Sequence, residues 1–163
     1  MSTKVKRKLF VTFLNINPGG TASYVVIGDG VPDLSIDYGP KILEETYITD
    51  SMATQAVESY VGKMEVDATA KYGDSAYNFI ANLGETLAIL DSAETDICQV
   101  YEYKAGGPTS YPAINQPVAI AVNKFGGKGG EPARIGYTIY SKGNPTSGSF
   151  NATSLIYTSN LQL

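Results

Sequence analysis

From Ser59 to Lys71 the side chains alternate: Tyr60, Met64, Val66, Ala68 and Ala70 share one face, and Lys63, Glu65, Asp67, Thr69 and Lys71 share the other. Successive residues of a strand point to opposite sides, so this pattern predicts a strand with one face in a core and one in water. That water is either bulk solvent or the content of a channel. Directly after Tyr72-Gly73 the spacing lengthens. Asp74 is placed to cap a helix whose apolar positions Ala76, Phe79, Ile80, Leu83 and Leu87 recur at helical intervals. The helix ends at Gly84 or persists to about Leu90, before the break at Asp91-Ser92-Ala93. Its apolar stripe should pack on a sheet.

The rest of the chain reads as further strands, with 12 tyrosines and many threonines and valines between glycine, proline and asparagine breaks. A first strand covers Lys6 to Ile16, and Asn17-Pro18-Gly19-Gly20 reverses it into a second near Tyr24 to Ile27. A third runs from Leu34 to Tyr38 and stops at Gly39-Pro40. Beyond the helix come a strand from Thr95 to Tyr103, a polar loop to Asn115 and a strand from Val118 to Phe125. The Gly126-Gly127-Lys128-Gly129-Gly130 connection then joins it, as a hairpin, to a strand from Ala133 to Tyr140. After a turn at Lys142-Gly143-Asn144-Pro145 a C-terminal strand closes the chain. With 163 residues this is one domain. The fold class is mainly β with a minor α component, a small sandwich or barrel flanked by one helix.

Lys41 to Gln55 fits neither period and is predicted to be a long loop or arm. Its Ile42, Leu43, Tyr47, Ile48 and Met52 either fold back onto the core or form an apolar interaction surface.

The chain has no histidine and one cysteine, Cys98, which leaves no set of soft ligands for zinc, haem or iron–sulfur clusters. No cofactor is expected. Cys98 lies in an apolar strand without a base to activate it, so it reads as a core residue. The net charge of −4 disfavours tight nucleic-acid binding; only Lys4, Lys6, Arg7 and Lys8 are locally basic, as a solvated strand start. No apolar run reaches signal-peptide or membrane-helix length, which predicts synthesis in a cytoplasm and no membrane association.

Three motifs invite chemistry and fail on context. The glycine-lysine run from Gly126 to Gly130 is followed by Glu131-Pro132 and a strand, whereas a phosphate loop leads into a helix through Ser or Thr. Glu65 and Asp67 could form a carboxylate pair, but the flanking Lys63 and Lys71 make an ordinary charged wet face. Asn151-Ala152-Thr153 is a sequon without a secretory context. Acid–base catalysis would have to come from Asp, Glu, Lys or Tyr alone, and no constellation of them is legible.

Two blocks in this order resemble the major tail tube proteins of siphophages, the bacteriophages with long non-contractile tails. Lys63 to Tyr103 is similar to that family's long strand, its Gly-Asp helix opening (here Gly73-Asp74), an Asp-containing break and a return strand. Val118 to Phe150 resembles its closing hairpin, with the glycine-rich turn and the ending Gly143-Asn144-Pro145 to Gly148-Ser149-Phe150. The first 40 residues fit only loosely, and no immunoglobulin-like decoration domain follows Phe150 before Leu163.

The resemblance implies a structural virion protein, related in fold to type VI secretion tube proteins, that forms stacked hexameric rings around a DNA channel. Strands would continue from copy to copy, which removes exposed sheet edges. The face with Lys63, Glu65, Asp67 and Thr69 would line the channel, and the Lys41 to Gln55 arm would reach the next ring. Implied partners are further copies of the chain, a tape measure protein, a tail terminator and baseplate proteins, with DNA as passing cargo. The competing reading is a monomeric β-sandwich binding module for carbohydrate or adhesion; a tail terminator or baseplate protein of the same fold is a third.

Overall fold

The computed structural model describes residues 2–104 and 107–160. The strands are β1 (Phe10–Asn15), β2 (Tyr24–Val26), β3 (Pro40–Glu45), β4 (Thr54–Tyr60) and β5 (Lys63–Thr69). Helix α1 (Ser75–Glu85) precedes β6 (Glu94–Tyr101), β7 (Ser110–Gly126), β8 (Arg134–Ser141), β9 (Thr146–Asn151) and β10 (Ile156–Ser159). Eight strands make one antiparallel sheet in the order β10-β9-β7-β6-β1-β2, with β8 also on β7 and β5 on β8. The mainly β class with one helix is as predicted, and the sheet stays open and does not close into a barrel.

The long strand β7 organises this topology. One edge pairs with β6 through Ala113 to Ala119. The other pairs first with β9, from Ser110 to Asn115, and then with β8, from Val118 to Gly126. The sheet therefore forks along β7, and each branch buries a different face. Over the β5-β8-β7 branch, Met64, Val66 and Ala68 join Ile120, Ile135, Tyr137 and Ile139, and α1 covers them with Ala76, Ile80 and Leu83. On the opposite face Phe13, Tyr24, Cys98, Val100, Ala113 and Phe150 form a second core. The Phe13 and Phe150 rings stack with centroids 4.4 Å apart, although β6 and β7 lie between their strands. Three interstrand steps in a flat sheet span about 14 Å, so the sheet curls tightly around this core. In β6 between the two cores, Ile97, Cys98, Gln99 and Val100 are all buried, as in a strand covered on both sides.

Helix α1 begins where the sequence places it: the Asp74 carboxylate accepts from the Tyr77 backbone N–H at 3.1 Å. It ends at Glu85, with Phe79 partly buried against the core. Gly84 sits over β7, and a Cβ there would lie 3.0 Å from a Val122 methyl; the glycine permits this close helix-to-sheet approach.

Several expectations are corrected. The strand predicted from Lys6 begins only at Phe10, after a short 3-10 turn from Arg7 to Leu9. Leu34 to Tyr38 is not a strand; a single bridge joins Asp37 to Lys63, because Leu34 turns inward to fill the core beneath β5. The run from Ser59 to Lys71 breaks at Val61-Gly62, so Tyr60 belongs to β4 and stands exposed, away from the Met64 face. Leu87 lies beyond the helix, 81% exposed, with a left-handed backbone. The loop predicted up to Asn115 is shorter, since β7 already pairs with β9 at Ser110.

Candidate assembly surfaces

The segment read as a loop or arm from Lys41 to Gln55 is an antiparallel hairpin. Among the described residues strands β3 and β4 pair only with each other, with Ile42 opposite Val57 and Leu43 opposite Ala56. Every residue of both strands is exposed. Ile42 and Leu43 in β3 and Tyr47, Ile48 and Met52 in the segment that joins the two strands are all exposed, so none of the five folds back onto the core. An isolated two-stranded sheet is marginal in water, and apolar side chains on both of its faces leave it without a core. Local polar contacts hold it: Lys41 with Glu58 at 3.0 Å, Gln55 to Glu44 at 3.3 Å, and the Tyr47 hydroxyl to Glu45 at 2.8 Å. Its base is fixed. The Val61 N–H donates to the Gly39 carbonyl at 2.9 Å, and Gly39 takes a positive φ where a side chain would collide with Val61.

The wet face of β5 carries Lys63, Glu65, Asp67 and Thr69 side by side, as its alternation requires. Across the ladder Asp67 lies opposite Gly136 and Thr69 opposite Arg134. The Arg134 guanidinium donates from Nε to Asp67 Oδ1 at 3.2 Å and from Nη2 to the Asp67 carbonyl at 3.1 Å. Lys63 pairs with Glu65 at 3.0 Å, and this hydrogen bond, then the Glu65 charge, raises the lysine's pKa. The face is thus a self-paired array, with the Lys124 stem lying over Gly136 beside it. Sequence reading missed Arg134 and Lys124, because cross-strand register is not visible in a single strand's pattern.

Edges matter as much as faces. Lys63 exchanges backbone hydrogen bonds with Asp37, and the Thr69 N–H donates to Gly30. The backbone of residues 30–37 thus touches the outer edge of β5 only at its two ends. The intervening odd positions, Glu65 and Asp67, direct their N–H groups to the same edge, and among the described residues nothing pairs with them there. Among the described residues the far edges of β2 and β10 likewise have no neighbouring strand.

A third cluster is structural. Asp96 accepts from the Tyr24 hydroxyl at 2.6 Å, from Asn115 at 2.7 Å and from Asn15 at 2.8 Å. Asn15 in turn accepts from the N–H groups of Asn17 and Ser23, fixing the turn between β1 and β2. Burial, followed by the hydrogen bond to Asp96, raises the Tyr24 pKa well above its ordinary value. Cys98 is fully buried in the adjacent core, and that burial, with the Asp96 charge, pushes its thiol up to about 12. It is held as a protonated packing group. An open groove of about 290 Å³ runs between α1 and β7, lined by Tyr77, Ala81, Gly84, Val122 and Phe125 among others. Among the described residues no group of three or more His, Cys, Asp or Glu converges as a metal site, and no helix is long and apolar enough to cross a membrane.

No protein-family model matches this sequence, and no curated protein matches it. Solved structures do. One is a chain from the tail of an empty GTA particle, computed with helical refinement and C6 symmetry: 10% identity, TM-score 0.64, covering 88% of this chain and 98% of that one. Another, described as a type six secretion system protein, aligns at 13% identity over 91% of this chain and 99% of that one, with a TM-score of 0.37. The first alignment takes in nearly all of its partner at a level that defines a shared fold. This chain has the fold of that tail protein: an open antiparallel sheet flanked by one helix.

Proposed function

We propose that this chain is a non-enzymatic structural subunit of a phage-like tail tube. The observation that carries the proposal is the shared fold with a chain of a C6-symmetric tail, across almost the whole of that chain. In this reading the chain is a single tube domain that assembles into hexameric rings, and the rings stack into a hollow cylinder. Open sheet edges and an apolar hairpin without a core of its own are liabilities for a lone molecule and assets for a polymer. The wet face of β5 lines the channel, and the β3–β4 hairpin reaches the next ring. Double-stranded DNA slides past a wall whose cations are largely tied to carboxylates, so phosphates find little to grip. A tape measure protein, a tail terminator and baseplate proteins complete the tail. The product is a virion part, made in the host cytoplasm.

Negative-stain electron microscopy of the purified protein tests this directly. Rings or tubes of uniform width are expected at high concentration. A particle that remains single and compact under those conditions contradicts the proposal and favours a monomeric binding module.

A further inference from the structure

Among the described residues nothing pairs with either outer edge of the hairpin, and the N-terminal segment is suited to close one of them. Residues 2–8 are all exposed, and among the described residues no backbone hydrogen bond holds Ser2 to Val5. The backbone at Lys6 is extended, with φ −77° and ψ 134°. Arg7 tethers the segment from behind, donating to the Leu34 carbonyl at 2.7 Å. Beyond that tether Val5 stands 57% exposed between Lys4 and Lys6, in a segment that belongs to no strand of its own copy.

Charge distinguishes the two surfaces. From Pro40 to Tyr60 the hairpin has one cation, Lys41, against four carboxylates: Glu44, Glu45, Asp50 and Glu58. From Ser2 to Leu9 the chain has four cations, Lys4, Lys6, Arg7 and Lys8, and no carboxylate. The molecule as a whole is at −4, so copies repel one another except where this basic segment is presented. Within one copy, among the described residues, no hydrogen bond or ion pair joins the segment to the hairpin.

We propose that the N-terminal segment of a second copy adds to the edge of β3 as a third strand, converting the marginal two-stranded hairpin into a stable three-stranded sheet between copies. Strand addition supplies main-chain hydrogen bonds, and side chains set the register. With Val5 beside Leu43, alternation puts Lys4 and Lys6 on the face of Ile42 and Glu44. The contact is heterologous, joining two different patches, and such contacts propagate into open-ended polymers. This inference rests on the stacked-ring reading and names what the arm touches in the neighbouring ring.

Charge reversal tests it with the full chain. K4E/K6E/K8E and, separately, E44K/E45K/D50K should each raise the critical concentration for tube formation by at least about tenfold. Combining both sets should restore tubes, because opposite charges face each other again. Wild-type assembly should weaken between low and high salt, since these charges are exposed. Circular dichroism of each variant checks that the fold is kept. Folded single-set variants that polymerise like wild type overturn the contact while leaving the tube reading intact. A folded combined variant that stays dissociated overturns it as well. A wild-type protein that forms neither rings nor tubes removes the tube reading and this contact with it.

Discussion

Converting both Glu65 and Asp67 to lysine most directly probes the proposal that the wet face of β5 lines a channel. In the native chain three cations, Lys63, Arg134 and Lys124, stand with two carboxylates on that face. The double variant puts five cations there and no carboxylate. Both native pairs are solvent-exposed, at 42% and 70% for Lys63 and Glu65 and 43% and 54% for Arg134 and Asp67, so the fold should survive their loss. The effect on DNA is larger. Two added lysines and two cations freed from pairing offer four more phosphate contacts per copy. Each contact changes affinity about 3.5-fold over a fourfold change in salt, so four compound to about 150-fold. The assay is DNA release from particles built with the variant subunit, at two ionic strengths, with electron microscopy to confirm tubes. Tubes of normal appearance and a slow, salt-sensitive release are expected. Normal tubes with unchanged release refute the assignment of this face to the channel, and loss of rings instead places the face at a subunit boundary.

Replacing residues 46–53 with a short turn should change the stability of the isolated subunit by less than about 0.5 kcal/mol, because the strands it joins bury nothing. The same variant should form rings that do not stack, and normal-length tubes in micrographs contradict the arm's role. Phe150→Ala should cost about 3–5 kcal/mol in urea unfolding, since Phe150 is fully buried and stacked on Phe13; a loss below about 1 kcal/mol would mean that the second core closes over the cavity. Stability should fall on the alkaline side. Burial raises the folded-state pKa of Cys98, Tyr101 and Tyr157 above reference values of 9.0 for the thiol and 10.0 for the tyrosines. Their stabilisation is complete below those reference values and lost as pH rises toward the folded-state ones. Unfolding free energy measured against pH should therefore decline from about pH 9 and more steeply above pH 10; a flat profile up to pH 11 is the result that counts against it.

Local chemistry made part of this molecule legible. The alternation of Met64, Val66 and Ala68 with Lys63, Glu65 and Asp67 survives unchanged in β5, because a strand's two faces are set by its own backbone. The Asp74 cap and the stripe Ala76, Ile80 and Leu83 are equally local, each depending on residues within a turn or two. The exposure of Ile42, Leu43, Tyr47, Ile48 and Met52 was one of two readings that the sequence left open. Their hairpin form was not visible, since a bulge at Lys41/Ile42 spoils the alternation that would announce it. Helical spacing extends one step too far, to Leu87, because periodicity carries no sign of where α1 stops.

Sequence alone therefore determined the strand-rich class, the helix and its cap, and which faces of β5 and α1 are apolar. All of these are fixed by bonds and side-chain directions a few residues apart. Only the tertiary structure decided that β7 forks the sheet, that Phe13 meets Phe150, that Arg134 clasps Asp67, and that three side chains converge on Asp96. Those contacts join segments distant along the chain, and their register is chosen by the joint packing of two cores, which no local pattern contains.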